Sequence, residues 1–314
     1  MKICIVGASG LVGRFLIKIL EKSLYDIDLV LFASSDKEKI LFKNKYYEIK
    51  KLDLNLIDKY DITFFATNKD VSKKFIPYFI EKGNKVIDNS SYFRDDYKLI
   101  IPSINGSILN QNDLLICSPN CSVIQSCICL KDINDLFKIE EINYNTYQAV
   151  SGSGYKGLMD LNLNINYYKD GINNNIIPYI DELKSNNYTY EELKMIKETN
   201  KIFNSNFLIT ATCVRVPVEY YHGVSIYCRT KYNINLELLL NKYNANNLIK
   251  VYPKYFSLKE CLKFNDNLVH IGRIRKSLSK ENIINLFCFS NNLIVGASKN
   301  CFDIFEYLVR SNLL

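Results

Sequence analysis

Ten cysteines and two histidines supply this chain's candidate nucleophiles and its side chains that exchange protons near neutral pH. Cys121 stands apart from the other cysteines. It follows Pro119-Asn120 at the start of a helical pattern, where unpaired N–H groups and the positive end of the helix dipole favour thiolate. Position alone leaves the ordinary alternative open, because an isolated cysteine is usually a small buried hydrophobe. His222 ends the run Arg215-Val-Pro-Val-Glu-Tyr-Tyr-His222, directly after a strand pattern, where a hydrogen-bonded surface histidine is the bland alternative. His270 lies in the apolar run 268–271 and reads as structural.

The second constellation is Gly7-Ala8-Ser9-Gly10-Leu11-Val12-Gly13, placed between a strand pattern and a helix pattern. Backbone N–H groups and a helix dipole at such a turn suit a pyrophosphate, so a dinucleotide site competes here with a tight structural turn. The spacing is GxxGxxG, which is less specific than GxGxxG. After the next strand comes Ser34-Ser35-Asp36-Lys37. Hydroxyls and a lysine suit a 2′-phosphate and Asp36 repels one, so NADP and NAD both stay open.

These residues need elements to position them. Residues 2–6 read as a buried strand, and Leu11, Val12, Phe15, Leu16, Ile19 and Leu20 recur at helical spacing. Strands at 28–32, 61–66, 85–88 and 114–117, with a helix at 71–82, predict a parallel sheet covered by helices on both faces. The second half carries strand runs at 139–150, 208–216 and 224–230 and a helix near 190–203. That order predicts an α+β domain with a mixed or antiparallel sheet. Residues 297–309 read as an amphipathic helix, with Cys301, Ile304, Phe305, Leu308 and Val309 on one stripe. Asn-rich stretches at 173–175 and 241–247 read as loops. The expected division is 1–120, 121–293 and 294–314, the first for dinucleotide binding and the last a helix packing back on the first domain.

Composition bounds the partners. The 314 residues suffice for two domains, and 48% hydrophobic with 23% charged residues exclude a disordered or repetitive chain. The net charge of +7 suits anionic metabolites without selecting them. No CxxC or HExxH pattern points to a metal. Every apolar run is interrupted by Lys, Asp or Asn, so no membrane span is expected, and no basic run with interleaved aromatics suggests nucleic acid. Cysteines without a disulfide framework or a signal sequence point to the cytoplasm.

The chain resembles the aspartate-semialdehyde dehydrogenase family over essentially its whole length. The colinear matches are VGASGLVG from Val6, DNSSYFR ending at Arg94, SPNCS around Cys121, YQAVSGSG from Tyr147, EELK from Glu191, ETNKI from Glu198, CVRVPV from Cys213 with His222, GRIR from Gly272 and NNLIVGASKN from Asn291. The resemblance implies a Rossmann-type first domain and a second domain for catalysis and dimerisation. It also implies NAD(P)H-dependent reductive dephosphorylation of L-aspartyl 4-phosphate through a cysteine thioester, in a homodimer or homotetramer.

On that resemblance Cys121 attacks the acyl phosphate, His222 shuttles protons and Gln148 orients the acyl group. Arg215 binds the α-carboxylate, Glu191 pairs with the amino group, and Arg94, Lys194 and Asn120 hold phosphate. Gly7, Ser9, Gly10, Leu11, Val12, Gly13, Ser34, Ser35, Ser151, Gly152 and Asn292 meet the cofactor. Departures from the family pattern fall at Asp36, at the turn Ala66-Thr67-Asn68-Lys69-Asp70, at Ile294-Val295 and at Tyr221, where the family commonly has glycine. N-acetyl-glutamyl-phosphate reductase is the nearest alternative, with EELK and CVRVPV against it. A non-catalytic nucleotide-binding descendant is the other.

Overall fold

Alternation along β1 (Lys2–Val6) sets the architecture of the first unit in this computed structural model, which describes residues 1–34, 38–264 and 267–314. Ile3 and Ile5 pack with Leu16 and Leu20 of α1 (Leu11–Glu21), whereas Cys4 and Val6 pack with Ile76 and Phe79 of α2 (Lys69–Glu81). A strand with both faces covered is what a parallel sheet requires. The other strands are β2 (Asp28–Ala33), β3 (Lys39–Phe42), β4 (Lys45–Lys51), β5 (Ile62–Phe65), β6 (Val86–Asp88), β7 (Lys98–Leu99) and β8 (Leu115–Cys117), with the short helix α3 (Pro102–Asn105) between the last two.

Their order is β3-β4-β2-β1-β5-β6-β8-β7, antiparallel between β3 and β4 and parallel elsewhere. Because β1 pairs with both β2 and β5, the strand order reverses beside it. In such sheets ligands bind at the carboxyl end of the strand where this happens.

The chain divides into Met1–Pro119 with Ala297–Leu314, and Asn120–Gly296. The last helix, α9 (Lys299–Arg310), belongs to the first unit and buries Ile304, Phe305 and Leu308 in the cluster shared with α1. Phe305 meets Tyr25 at 5.1 Å and Phe64 at 6.1 Å between ring centroids. The expected helix at 297–309 differs at its start, since a π turn at Ile294–Ser298 precedes α9, and Val309 is only half-buried.

The second unit opens with α4 (Cys121–Phe137), followed by β9 (Ile139–Gln148), α5 (Gly154–Leu163), α6 (Tyr190–Phe203), β10 (Leu208–Arg215), β11 (His222–Thr230), α7 (Leu236–Asn244), β12 (Ile249–Tyr252), α8 (Leu258–Leu262), β13 (Val269–Lys276) and β14 (Ile283–Ser290). Its sheet has the order β10-β9-β11-β14-β13-β12, mixed as expected for an α+β domain. Helix α6 starts where Thr189 and Glu192 cap each other's backbone, a signal written in the sequence itself. The loop expected at 241–247 is corrected, because Asn241 to Asn244 form the last turn of α7. There the buried Leu239 and Tyr243 recruit the asparagines into a helix.

Candidate active site

Asn120 and Cys121 begin α4, and the cap explains their placement. The Asn120 Oδ1 accepts the N–H groups of Ser122 and Val123, fixing the first turn with Cys121 as its first residue. Cys121 is half-buried, and the other nine cysteines are buried. Gly296 lies against it: a Cβ there would stand 2.6 Å from the Cys121 Cβ.

Glu191 is the centre of the polar network. Its Oε1 accepts both the Asn120 Nδ2 and the Gln148 Nε2 at 2.9 Å, while its Oε2 accepts the Lys194 Nζ at 3.0 Å. Lys194 also donates to Asp181 at 2.8 Å. Burial alone pushes the Glu191 carboxyl up, but Lys194 and the two amides outweigh it and hold the group at about 2. The same two carboxylates overcome burial and hold the Lys194 ammonium above its ordinary value. In this arrangement the carboxylate and the cation assigned to different parts of a substrate are paired with each other.

His222 begins β11, two residues earlier than the expected strand, and is fully buried. Its Nδ1 accepts the Ala149 N–H at 2.9 Å, its carbonyl accepts the Gln125 Nε2 at 3.2 Å, and its Nε2 is buried without a hydrogen-bond partner. Burial and the neighbouring Arg215 cation push its pKa down to about 3, against the opposing Glu191. Arg215, at the end of β10, donates from Nη1 to the Ala149 carbonyl at 2.7 Å and has a buried, unpartnered Nε. It lines a cavity of about 740 Å³ together with Tyr167, Tyr168, Lys169, Tyr179 and Asp181.

Ser151, Gly152 and Asn292 adjoin this group. Asn292 donates to the Ser151 Oγ at 3.0 Å, and a Cβ on Gly152 would stand 3.0 Å from the Arg215 Nη1 and 3.5 Å from the His222 Nε2. Tyr221 occupies left-handed backbone at φ 73°, the conformation that glycine adopts most freely. Its N–H is held by the Asn292 Oδ1 at 3.0 Å, and its ring lies 6.2 Å from that of His270.

The remaining candidates lie in the first unit. Gly7 has φ 92°, and a Cβ there would meet the Ala66 carbonyl at 2.3 Å, so the turn at the end of β1 admits only glycine. Gly10 caps α1 without a side-chain hydrogen bond, so no side chain caps the first turn at Leu11, Val12 and Gly13, an arrangement that suits an anion. Ser9 lies in this turn, and Ser34 follows β2 as an exposed residue. Ser35, with Asp36, lies outside the described residues. Arg94 is buried in the first unit and donates to the Asn89 carbonyl at 2.9 Å.

Four residues without an assigned role belong to the network in the second unit. Glu198 accepts the Asn120 backbone N–H at 2.6 Å, Gln125 and Ser290 join α4 to β14, and Asp181 pairs with Lys194. The spacing of Glu191 and Glu198, two helical turns apart, was the available signal for Glu198. Among the described residues, no helix is long and apolar enough to cross a membrane, and no three His, Cys, Asp or Glu side chains gather as a metal site.

Residues 2–112 match the family described as semialdehyde dehydrogenase, NAD binding domain, and residues 130–295 match semialdehyde dehydrogenase, dimerisation domain. The aspartate-semialdehyde dehydrogenase of Campylobacter jejuni is 32% identical, with 96% of each chain covered. That of Aquifex aeolicus is 35% identical, covering 100% of this chain and 99% of its own. The crystal structure of aspartate semialdehyde dehydrogenase II from Vibrio cholerae complexed with ASA is similar with a TM-score of 0.92, at 33% identity over 98% of each chain.

Proposed function

The chain belongs to the aspartate-semialdehyde dehydrogenase family, and on that premise we propose that it catalyses the NAD(P)H-dependent reductive dephosphorylation of L-aspartyl 4-phosphate to L-aspartate 4-semialdehyde. One observation carries the proposal. A single unit joins the residue before the helix-terminal cysteine, Asn120, to Gln148, Glu191 and Lys194 through one carboxylate, with His222 and Arg215 fixed on Ala149 beside them.

In this reading Cys121 is the nucleophile. Its sulfur bonds the acyl carbon as phosphate departs, leaving a thioester whose carbon accepts hydride far more readily than a carboxylate would. The nicotinamide cofactor, NADP or NAD, supplies that hydride. The fit of the glycine turn supports its binding, with Gly7, Ser9, Gly10, Leu11, Val12, Gly13, Ser34 and Ser35 toward the nucleotide and Ser151, Gly152 and Asn292 toward the nicotinamide.

Gln148 orients the acyl group through its amide. Arg215 takes the α-carboxylate, a role its unspent buried Nε supports. Glu191 receives the substrate's amino group, while Lys194, Arg94 and Asn120 hold phosphate. His222 shuttles the proton as the thiohemiacetal oxygen and sulfur change charge. A homodimer formed through the second unit, or two such dimers in a tetramer, and a cytoplasmic location complete the proposal.

Purified full-length protein should reduce NADP when given aspartate 4-semialdehyde and phosphate, and should ignore the N-acetylated glutamate analogue. Preference for the acetylated analogue would favour N-acetyl-glutamyl-phosphate reductase instead. Inertness to both would leave a nucleotide-binding descendant.

A further inference from the structure

We infer that Glu198 is a positioning residue for the nucleophile: from α6 it fixes the backbone turn that delivers Cys121, while Gly296 packs against the cysteine itself. This rests on the function proposed above, in which Cys121 attacks the acyl carbon. The central contact is the Asn120 backbone N–H, which donates to the Glu198 Oε2 at 2.6 Å across seventy-eight positions of sequence. Both residues are buried, so a charged acceptor meets its donor away from competing water.

With that bond made, every polar group of Asn120 is engaged. Its Oδ1 accepts the N–H groups of Ser122 and Val123, its Nδ2 donates to Glu191, and its carbonyl accepts the Ile124 N–H at 3.0 Å. The next residue is Cys121. Across one trans peptide its Cα lies at a fixed distance of about 3.8 Å from that of Asn120, so what holds one places the other.

Helix α6 is suited to the task. Glu191 and Glu198 are seven residues apart, two helical turns, and both reach Asn120, one at its side chain and the other at its backbone. The helix is itself tied to the sheet. Glu192, which closes the capping box with Thr189, also accepts the Cys213 N–H of β10 at 3.2 Å, and the Thr199 hydroxyl lies 3.3 Å from the Tyr144 hydroxyl of β9. The carboxylate passes that fixity on to the turn before Cys121.

Gly296 limits the cysteine directly. A Cβ there would stand 2.6 Å from the Cys121 Cβ, 3.0 Å from its Cα and 3.2 Å from its carbonyl oxygen, so only a residue without a side chain fits. The Gly296 N–H is held by the Asn291 carbonyl at 3.2 Å, within the π turn Ile294–Ser298. Such turns are rare and gather at functional sites. The start of α4 is thus set by a carboxylate at Asn120 and by close-packed backbone at Cys121. Precision matters at a nucleophile, because a displacement of about 1 Å costs up to about a hundredfold in rate.

Three variants of the full-length protein test this. Glu198→Met keeps the length of the side chain without an oxygen, Glu198→Gln keeps an acceptor oxygen without the charge, and Gly296→Ala presses on Cys121 while leaving Glu198 intact. With aspartate 4-semialdehyde, phosphate and NADP, Glu198→Met and Gly296→Ala should lower kcat about tenfold or more, with each KM changed less than about twofold. Glu198→Gln should recover most of kcat. Hydrogen exchange followed by mass spectrometry needs no substrate: the segment 118–124 should exchange about tenfold faster in Glu198→Met, and the rest of α4 should match the unmodified protein. Equal losses in Glu198→Met and Glu198→Gln, a rise in KM as large as the fall in kcat, unchanged exchange at 118–124, or full kcat in Gly296→Ala would each overturn the inference. An unmodified protein that is inert in the assay, with exchange changing as expected, would sink the proposed function and leave the anchoring of the turn standing.

Discussion

The side-chain amide of Asn120 donates to the Glu191 Oε1 at 2.9 Å, which ties the residue preceding Cys121 to a carboxylate seventy-one positions later on α6. Gln148 donates to the same oxygen from the end of β9. Three chain segments thus meet at one carboxylate beside the start of α4.

Glu191→Gln replaces a charge-assisted acceptor with a neutral amide and leaves Lys194 with Asp181 alone. Hydrogen bonds to a charged group contribute about 1.5–3 kcal/mol each, so KM for aspartate 4-semialdehyde should rise by roughly tenfold or more. Initial-rate measurements should show this rise exceeding the change in kcat. A KM equal to that of the unmodified protein would remove Glu191 from the substrate site.

His222 also predicts a pH dependence of stability. Its folded pKa lies at about 3, below the ordinary 6.5, so the unfolded chain binds the proton more readily. Stability from this group is complete above about pH 6.5 and falls as pH drops from there toward 3, by up to about 1.4 kcal/mol per unit. Denaturant titrations at pH 7, 6, 5 and 4 should show this slope, and His222→Gln should be less steep by that amount. Glu191 acts lower, its contribution being lost as pH falls from its ordinary 4.5 through about 2.

Phe305→Ala tests the return of the C-terminal helix to the first unit. The ring is fully buried and touches Tyr25, Phe64 and Phe302. Truncation of such a ring costs about 3–5 kcal/mol. Denaturant unfolding should show that loss, and the weakened nucleotide unit should raise KM for the cofactor.

A role of Asp36 in cofactor choice is testable by kinetics. If its charge opposes a 2′-phosphate, kcat/KM for NADPH and NADH should be of similar size, and Asp36→Arg should raise the NADPH value about tenfold through a charge-assisted contact. The NADH value should stay near its starting level. A strong NADPH preference before mutation would show that other groups compensate for Asp36.

Much of this was legible because the signals are local. The strand and helix flanking the N-terminal glycine turn announce themselves by period, and the helix expected near 190–203 forms as α6. Asn241 to Asn244 misled because a chain rich in asparagine places that residue in helices whose buried face is set by Leu239 and Tyr243. The hairpin of β3 and β4 is not legible in the sequence because its Lys- and Tyr-rich strands lack a clean apolar alternation. The network around Glu191 was hidden for another reason. Spacing puts Lys194 three residues from Glu191 on one helical face, but nothing in it says that Asn120 and Gln148 meet the same carboxylate, or that Glu198 accepts the Asn120 backbone N–H.

The most direct test withholds the nicotinamide. Full-length protein mixed with L-aspartyl 4-phosphate and quenched in acid should carry one aspartyl group, located by peptide mass spectrometry on Cys121 and absent from Cys121→Ser. An unmodified Cys121 peptide, or an aspartyl group on any other residue, would contradict covalent catalysis by this cysteine.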